Sequence, residues 1–311
     1  MNNDEISLKW YFHPNEIVRM MRTKIYDNID LKTDLTPNYT KNLKVGVVIG
    51  TYGAMPYIDL GLHYLKNVNG IENILVHDDC SPEKDKLKDL CDSYNVEFYS
   101  TEKNLYHKTC VGSLGDQNCF YEGLKWAKNK NLDILIKFSR RLIPCYRWID
   151  DFKDLVLKSD GITFSSYCEK DKFPIRTECI GMNVNAWSNK FVLNIMDFYL
   201  KNQIMTFAEF FMDNIAKQLD YQNFSKKYEQ YKKENFTGFT HSGYVHWHDL
   251  LGTNRYNIDN RHENVLWHMY SSENDYLNKI KEIFKDKYIL NDVKDIVHIE
   301  RKYKNGFLYR C

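Results

Sequence analysis

Residues 44–50, KVGVVIG, form a nearly unbroken apolar run only seven residues long. A run that short is not an ordinary helix, and the lack of polar alternation argues against a strand with one wet face. It reads as a strand covered on both faces, which requires helical layers on either side of a sheet. The chain then supplies those layers in turn. Ile58, Leu62 and Leu65 recur at helical spacing within 56–67, and NILVHDD (73–79) is a second apolar run that ends in acids. Leu87, Leu90 and Cys91 share one helical face within 82–94, and VEFYS (96–100) is a third strand. A helix follows over 116–129, with Asp116 as its expected N-cap after Gly115, and then a fourth strand, LDILIKF (132–138). This alternation predicts an α/β fold with a Rossmann-like, mainly parallel sheet flanked by helices.

Beyond Pro144 the pattern predicts helices over 148–158, 192–200, 207–219 and 273–284. It predicts strands over 161–167 and 179–187, the latter in the antiparallel sense. Residues 1–42 are polar and irregular apart from a short helix over 16–26. No linker cuts the chain. We expect an N-terminal extension (1–42), a main domain (43–220) and a mixed C-terminal elaboration (221–311) packed on that same domain.

Composition narrows the function classes. The net charge of +1 over 311 residues gives no global reason to expect nucleic acid as a partner. No apolar run approaches the roughly 20 residues of a membrane span, although peripheral membrane contact stays open. The first residues lack a basic region followed by an apolar one, so a secretory signal is not expected. Eight scattered cysteines without a CxxC pair fit buried thiols in a cytoplasmic protein. The 23 tyrosines can serve a core or a site that stacks on rings. The oligomeric state is not legible.

In a doubly wound sheet, ligands bind at the carboxyl ends of the strands. After the first strand stand Gly50, Thr51, Tyr52 and Gly53; after the second, Asp78, Asp79 and Cys80; after the fourth, Ser139, Arg140 and Arg141. The ordered set VGVVIGTYG, YIDLGLHYLKNVNGIENILVHDDCSPE and GDQNCFYEGLKWAKNKNLDILIKF resembles the opening of the family 2-like glycosyltransferases of the GT-A fold. The resemblance covers roughly residues 44–150. It implies a transferase, inverting in stereochemistry, that moves a sugar from a nucleotide-diphosphate donor to a glycan, lipid-linked or protein acceptor. It also implies that Gly50, Thr51, Tyr52, Asp78, Asp79 and Ser139 hold the donor.

One departure stands out. The resembling enzymes carry a D-x-D-like motif after the fourth strand that holds Mg²⁺ or Mn²⁺ against the diphosphate. Here that position reads FSRRLIP, with no acid from Lys137 to Pro144. Arginines there repel a divalent cation and pair with phosphate oxygens directly, so Arg140 and Arg141 are expected to replace the metal. The need for a divalent ion is left open. So are salt-bridged structural arginines, paired to Asp150 or Asp151, and a binding domain that has lost catalysis. A nucleotidyltransferase ranks low, because GTYGAMP lacks a glycine-rich phosphate loop.

For the acceptor proton, Glu209 is the first candidate base, in TFAEFFMDNIAKQL (206–219), with Asp213 one turn on and Asp171 and Glu178 as rivals. The late histidines, including His246, His248 and His268, read as parts of an aromatic lid over the acceptor. A zinc site from His246, His248 and Asp249 matches no familiar spacing. Trp187, Trp247 and Trp267 are candidates to stack on a sugar face or to fill the core.

Overall fold

The structure is a computed structural model that describes residues 39–105, 113–140, 142–144, 148–158, 162–167, 176–204, 208–219, 245–246, 266–268 and 273–289. The apolar runs become β1 (Val45–Thr51), β2 (Asn73–Asp78), β3 (Glu97–Ser100) and β4 (Ile134–Ser139). Helices α1 (Met55–His63), α2 (Lys84–Ser93) and α3 (Ser113–Asn129) lie between them. Then come β5 (Leu142–Pro144), α4 (Trp148–Lys158), β6 (Thr163–Tyr167) and β7 (Arg176–Asn183). Three helices follow: α5 (Val184–Trp187), α6 (Lys190–Lys201) and α7 (Ala208–Leu219). The described chain ends with β8 (Val245–His246), β9 (Leu266–His268) and α8 (Glu273–Phe284).

The main sheet has seven strands in the order β3-β2-β1-β4-β7-β6-β8. Its first four strands are parallel, as buried apolar runs joined by helical crossovers must be. β7 is antiparallel to both β4 and β6. Alternate residues of each strand face opposite layers. Val47, Ile49, Ile74, Val76, Ile136 and Phe138 pack with residues of α1, α2 and α4. Val48, Leu75, Leu135, Ile180 and Met182 pack with residues of α3, α5, α6 and α7. Each fully buried side chain of this kind contributes about 1.5–3 kcal/mol.

Two expectations need correction. Asp116 is not the N-cap of α3: the helix begins three residues earlier, at Ser113, and Asp116 lies inside its first turn. The expected strand over 179–187 stops at Asn183, whose side chain accepts a hydrogen bond from Ala186 N at 3.0 Å and starts α5. That cap converts an apolar run into a helical turn and carries Trp187 into the core. Trp187 is fully buried, and its Nε1 donates to Ile162 O and to Thr163 Oγ1. It packs the core and does not stack on a sugar. The helix expected over 16–26 lies outside the described residues.

The C-terminal part returns to the first half of the chain. β9 pairs antiparallel with β5, placing His268 opposite Leu142, two residues beyond Arg140. The segment after α8 docks on α1. Asp59 of α1 is fully buried, and its carboxylate accepts from Tyr94 Oη (2.6 Å), Lys287 Nζ (2.6 Å) and Tyr288 Oη (2.5 Å). Phe284 meets His63 edge-on beside this contact. A buried carboxylate is tolerated only with such partners, and removing it strands three donors. The Asp59→Ala variant is expected to lose about 3 kcal/mol of unfolding free energy, read from the urea midpoint. Tyr94→Phe, which removes one of the three donors, is expected to lose about 1 kcal/mol.

Candidate functional site at the strand ends

The strand order reverses between β1 and β4, so the loops leaving them diverge and open a crevice at their carboxyl ends. Gly50 and Ser139 stand side by side in the sheet at this point. The loop after β1 is sharply bent: Gly53 and Ala54 both have left-handed backbones, at φ 63°. A Cβ on Gly53 would come within 2.6 Å of the mobile end of Glu83, which can move aside, so it is the positive φ that favours glycine here. Cys80, after β2, is also left-handed. Ala54 and Cys80 thus place left-handed non-glycine backbone in the two loops beside the crevice.

The two adjacent acids at the end of β2, Asp78 and Asp79, have separate tasks. Asp78 is fully buried, and its Oδ2 accepts from Ser81 N (2.8 Å) and Ser100 Oγ (2.9 Å), closing the turn into α2. Asp79 points to the other side of the strand end. Its Oδ1 accepts from Leu105 N (2.9 Å) and Thr101 Oγ1 (3.3 Å). Its Oδ2 comes so near the first turn of α3 that a Cβ on Gly115 would stand 2.7 Å away. Thr51 Oγ1 donates to Gly53 O at 2.6 Å, bracing the loop that leaves Tyr52 about half exposed. Across the crevice, Arg140 Nη1 donates to Tyr52 O at 2.8 Å. The guanidinium therefore links the loop after β4 to the loop after β1, over the switch point.

Charge beneath the crevice was not foreseen from the sequence. Lys137 of β4 is buried, its Nζ lying 2.8 Å from Asp116 Oδ1, 2.9 Å from Thr177 O and over the Phe120 ring. Two strands away, on β2, His77 Nε2 lies 2.9 Å from Asn118 Nδ2 of α3, and Tyr99 rests against the imidazole. Burial drives the His77 pKa down to about 4, so the ring is a neutral acceptor for the amide. Burial likewise pushes the Cys119 thiol up to about 12, making it an inert filler under Gly50. Lysine in an apolar run could have flagged the buried pair; nothing local named Asp116 as its partner.

Gly50, Thr51, Tyr52, Asp79, Ser139 and Arg140 are thus brought to one crevice, with Asp78 beneath its edge. Arg141 lies outside the described residues, as do Asp171 and Asp249. Asp150, offered as an ion-pair partner for the arginines, is exposed on α4. Glu209 lies in the first turn of α7 and Asp213 one turn later; their side chains are outside the described set, as is that of Glu178. Lys128, near the end of α3, donates to Ser188 O, and Tyr121, in the middle of α3, feels the charges of Asp197 and Lys201. α6 therefore runs antiparallel to α3, and Tyr199 near its end meets Phe211 of α7 with ring centroids 4.6 Å apart. The strand end that would hold a divalent ion presents Ser139 and Arg140. Among the described residues, no three of His, Cys, Asp or Glu converge as ligands. Neither Ser139 nor Arg140 offers a divalent ion a carboxylate at that strand end.

No family profile and no curated protein matches the chain. Among solved structures it is similar to the glycosyltransferase GlyE of Streptococcus pneumoniae TIGR4, with 10% identity and a TM-score of 0.42 over 83% of this chain and 64% of that one. It is also similar to a cytidylyltransferase from Leptospira borgpetersenii serovar Hardjo-bovis, with 15% identity and a TM-score of 0.40 over 84% and 96% of the two chains. For Staphylococcus aureus TarS 1–349 the values are 13% and 0.39 over 55% and 54%. At these TM-scores, the chemistry of this chain has to be read from its own residues. No described helix is long and apolar enough to cross a membrane.

His77 sets a pH dependence. Its folded pKa of about 4 lies below the ordinary 6.5, so the unfolded chain binds a proton first as pH falls. The stabilisation is whole above pH 6.5 and declines as pH drops from 6.5 towards 4, by about 3 kcal/mol. Urea unfolding at pH 7.5 and 4.5 is expected to show this decline, and His77→Gln is expected to flatten it.

Proposed function

We propose that this chain is a glycosyltransferase that binds a nucleotide-diphosphate sugar in the β1/β4 crevice and transfers the sugar, with inversion, to a glycan or glycoconjugate acceptor. The observation that carries the reading is the bridge from Arg140 to Tyr52 O, which sets a guanidinium over the switch point where the sequence resemblance expects metal-binding acids. In this reading Tyr52 packs against the base, Asp79 accepts from the nucleoside, and Gly50 allows close approach of the backbone. Arg140, with Arg141, takes the negative charge that grows on the leaving diphosphate. Glu209, at the start of α7, takes the acceptor hydroxyl proton. The reaction then needs no divalent ion.

The test is nucleoside diphosphate release from a panel of UDP-, GDP- and CDP-linked sugars with a mixed glycan acceptor, with and without EDTA. Release unaffected by EDTA is expected, and Arg140→Ala is expected to lower kcat/KM by about 10- to 100-fold, the worth of one charge-assisted contact. Activity abolished by EDTA and indifferent to Arg140→Ala would sink the arginine mechanism. Tight binding with no release from any donor would favour a domain that only binds.

A further inference from the structure

The buried Lys137–Asp116 pair is an expensive way to hold a helix against a strand, since an apolar pair of similar volume does so without a desolvation penalty. Its two members are unequally covered. The Lys137 side chain is 2% exposed and the Asp116 side chain 34%. The ammonium is enclosed while the carboxylate opens upward. What it opens toward is the crevice: a Cβ on Gly50 would stand 3.7 Å from Asp116 Oδ1, and Gly115 brings Asp79 Oδ2 onto the same turn of α3. Beside Asp116, Gln117 is buried with neither amide atom partnered among the described residues. A native buried amide left open at both ends calls for a polar guest.

We propose that Asp116 is a binding residue for hydroxyl groups of the transferred sugar, with Lys137 as the residue that positions it. The inference rests on the transferase reading given above. Carboxylates accept from sugar hydroxyls with strong, charge-assisted bonds. A bare carboxylate beside a diphosphate would repel it, and Lys137 removes that penalty by cancelling the charge from below. The Asp116 carboxylate stays a full acceptor, and in this reading a hydroxyl of the donor sugar lies beside it. The Gln117 amide, on the same turn, supplies both a donor and an acceptor for the hydroxyl network or for a water that completes it.

The pair is tested by calorimetric titration of the full chain with UDP, GDP, UDP-glucose, UDP-N-acetylglucosamine and GDP-mannose. The wild type is expected to bind one nucleotide sugar more tightly than its own nucleoside diphosphate. Asp116→Asn is expected to cut that preference about tenfold while leaving nucleoside diphosphate affinity within about twofold, because one charged hydrogen bond is lost on the sugar side alone. The double variant Asp116→Leu, Lys137→Met removes both charges and keeps the packing, so it separates a sugar contact from a folding role; it too is expected to lose the preference. A folded double variant that keeps the wild-type preference overturns the inference and leaves the nucleotide reading standing, as does a wild type with no preference. Failure of the wild type to bind any of the five, or CDP and a CDP-linked sugar titrated in the same way, overturns the transferase reading and the inference with it.

Discussion

The structure depends on how closely α3 can approach β1 and β4. Gly123 lets the helix axis come so near that a Cβ there would stand 3.0 Å from Val48 Cγ1. Gly46 and Gly50 clear the strand side of the same contact, where side chains would meet Leu132, Trp126 and Cys119. Helix and sheet packed at this distance carry the first turn of α3 up to the carboxyl ends of the strands. Asn118 reaches His77, Asp116 reaches Lys137, and Gly115 admits Asp79. An alanine at Gly123 or Gly50 would require Val48 or Cys119 to give by a few tenths of an ångström in the same close-packed interface that carries these three contacts.

The same approach explains why charges are tolerated beneath the crevice. Asp79 is held by a backbone N–H and a hydroxyl, Asp78 by another backbone N–H and a serine, and Asp116 by an ammonium. Each acid has its own donor set, so three carboxylates sit near the strand ends without facing one another unpaired. Arg140 adds positive charge on the open side, tied to Tyr52 O. The result is a crevice with acids anchored in its floor and a guanidinium across its rim. That polarity suits a ligand with hydroxyls at its ends and phosphates between them.

The parallel half of this arrangement was legible in the sequence because it is local. Short apolar runs at 44–50, 73–79 and 132–138 set the strands, and the residues that follow them are the crevice by the geometry of any doubly wound sheet. Errors arose where a local signal competed with a tertiary one. Asp116 looked like a cap because acids favour helix starts, whereas its oxygen is claimed by a lysine 21 positions away. In CIGMNVNAW the apolar run concealed Asn183, whose capping bond ends β7 and sends Trp187 inward. The pairing of β5 with β9 joins residues more than 120 positions apart, and no pattern in either segment announces it.

That last pairing gives the basic turn a second support. Arg140 is fixed on one side through Tyr52, at the head of the loop that leads into α1. On the other side the chain runs directly into β5, which is held by β9, and β9 leads into α8 and the Lys287–Tyr288 contact on Asp59, again on α1. The path closes on itself: α1 is reached from the turn both through the β1 loop and through the C-terminal segment. A metal site can leave its loops slack, because the ion gathers the ligands when it binds. A guanidinium has no such organiser and must be positioned by the chain before the ligand arrives, or its ordering entropy is subtracted from affinity. If Arg140 takes the place of a metal, as proposed above, a ring of contacts around the turn is the form of support it requires.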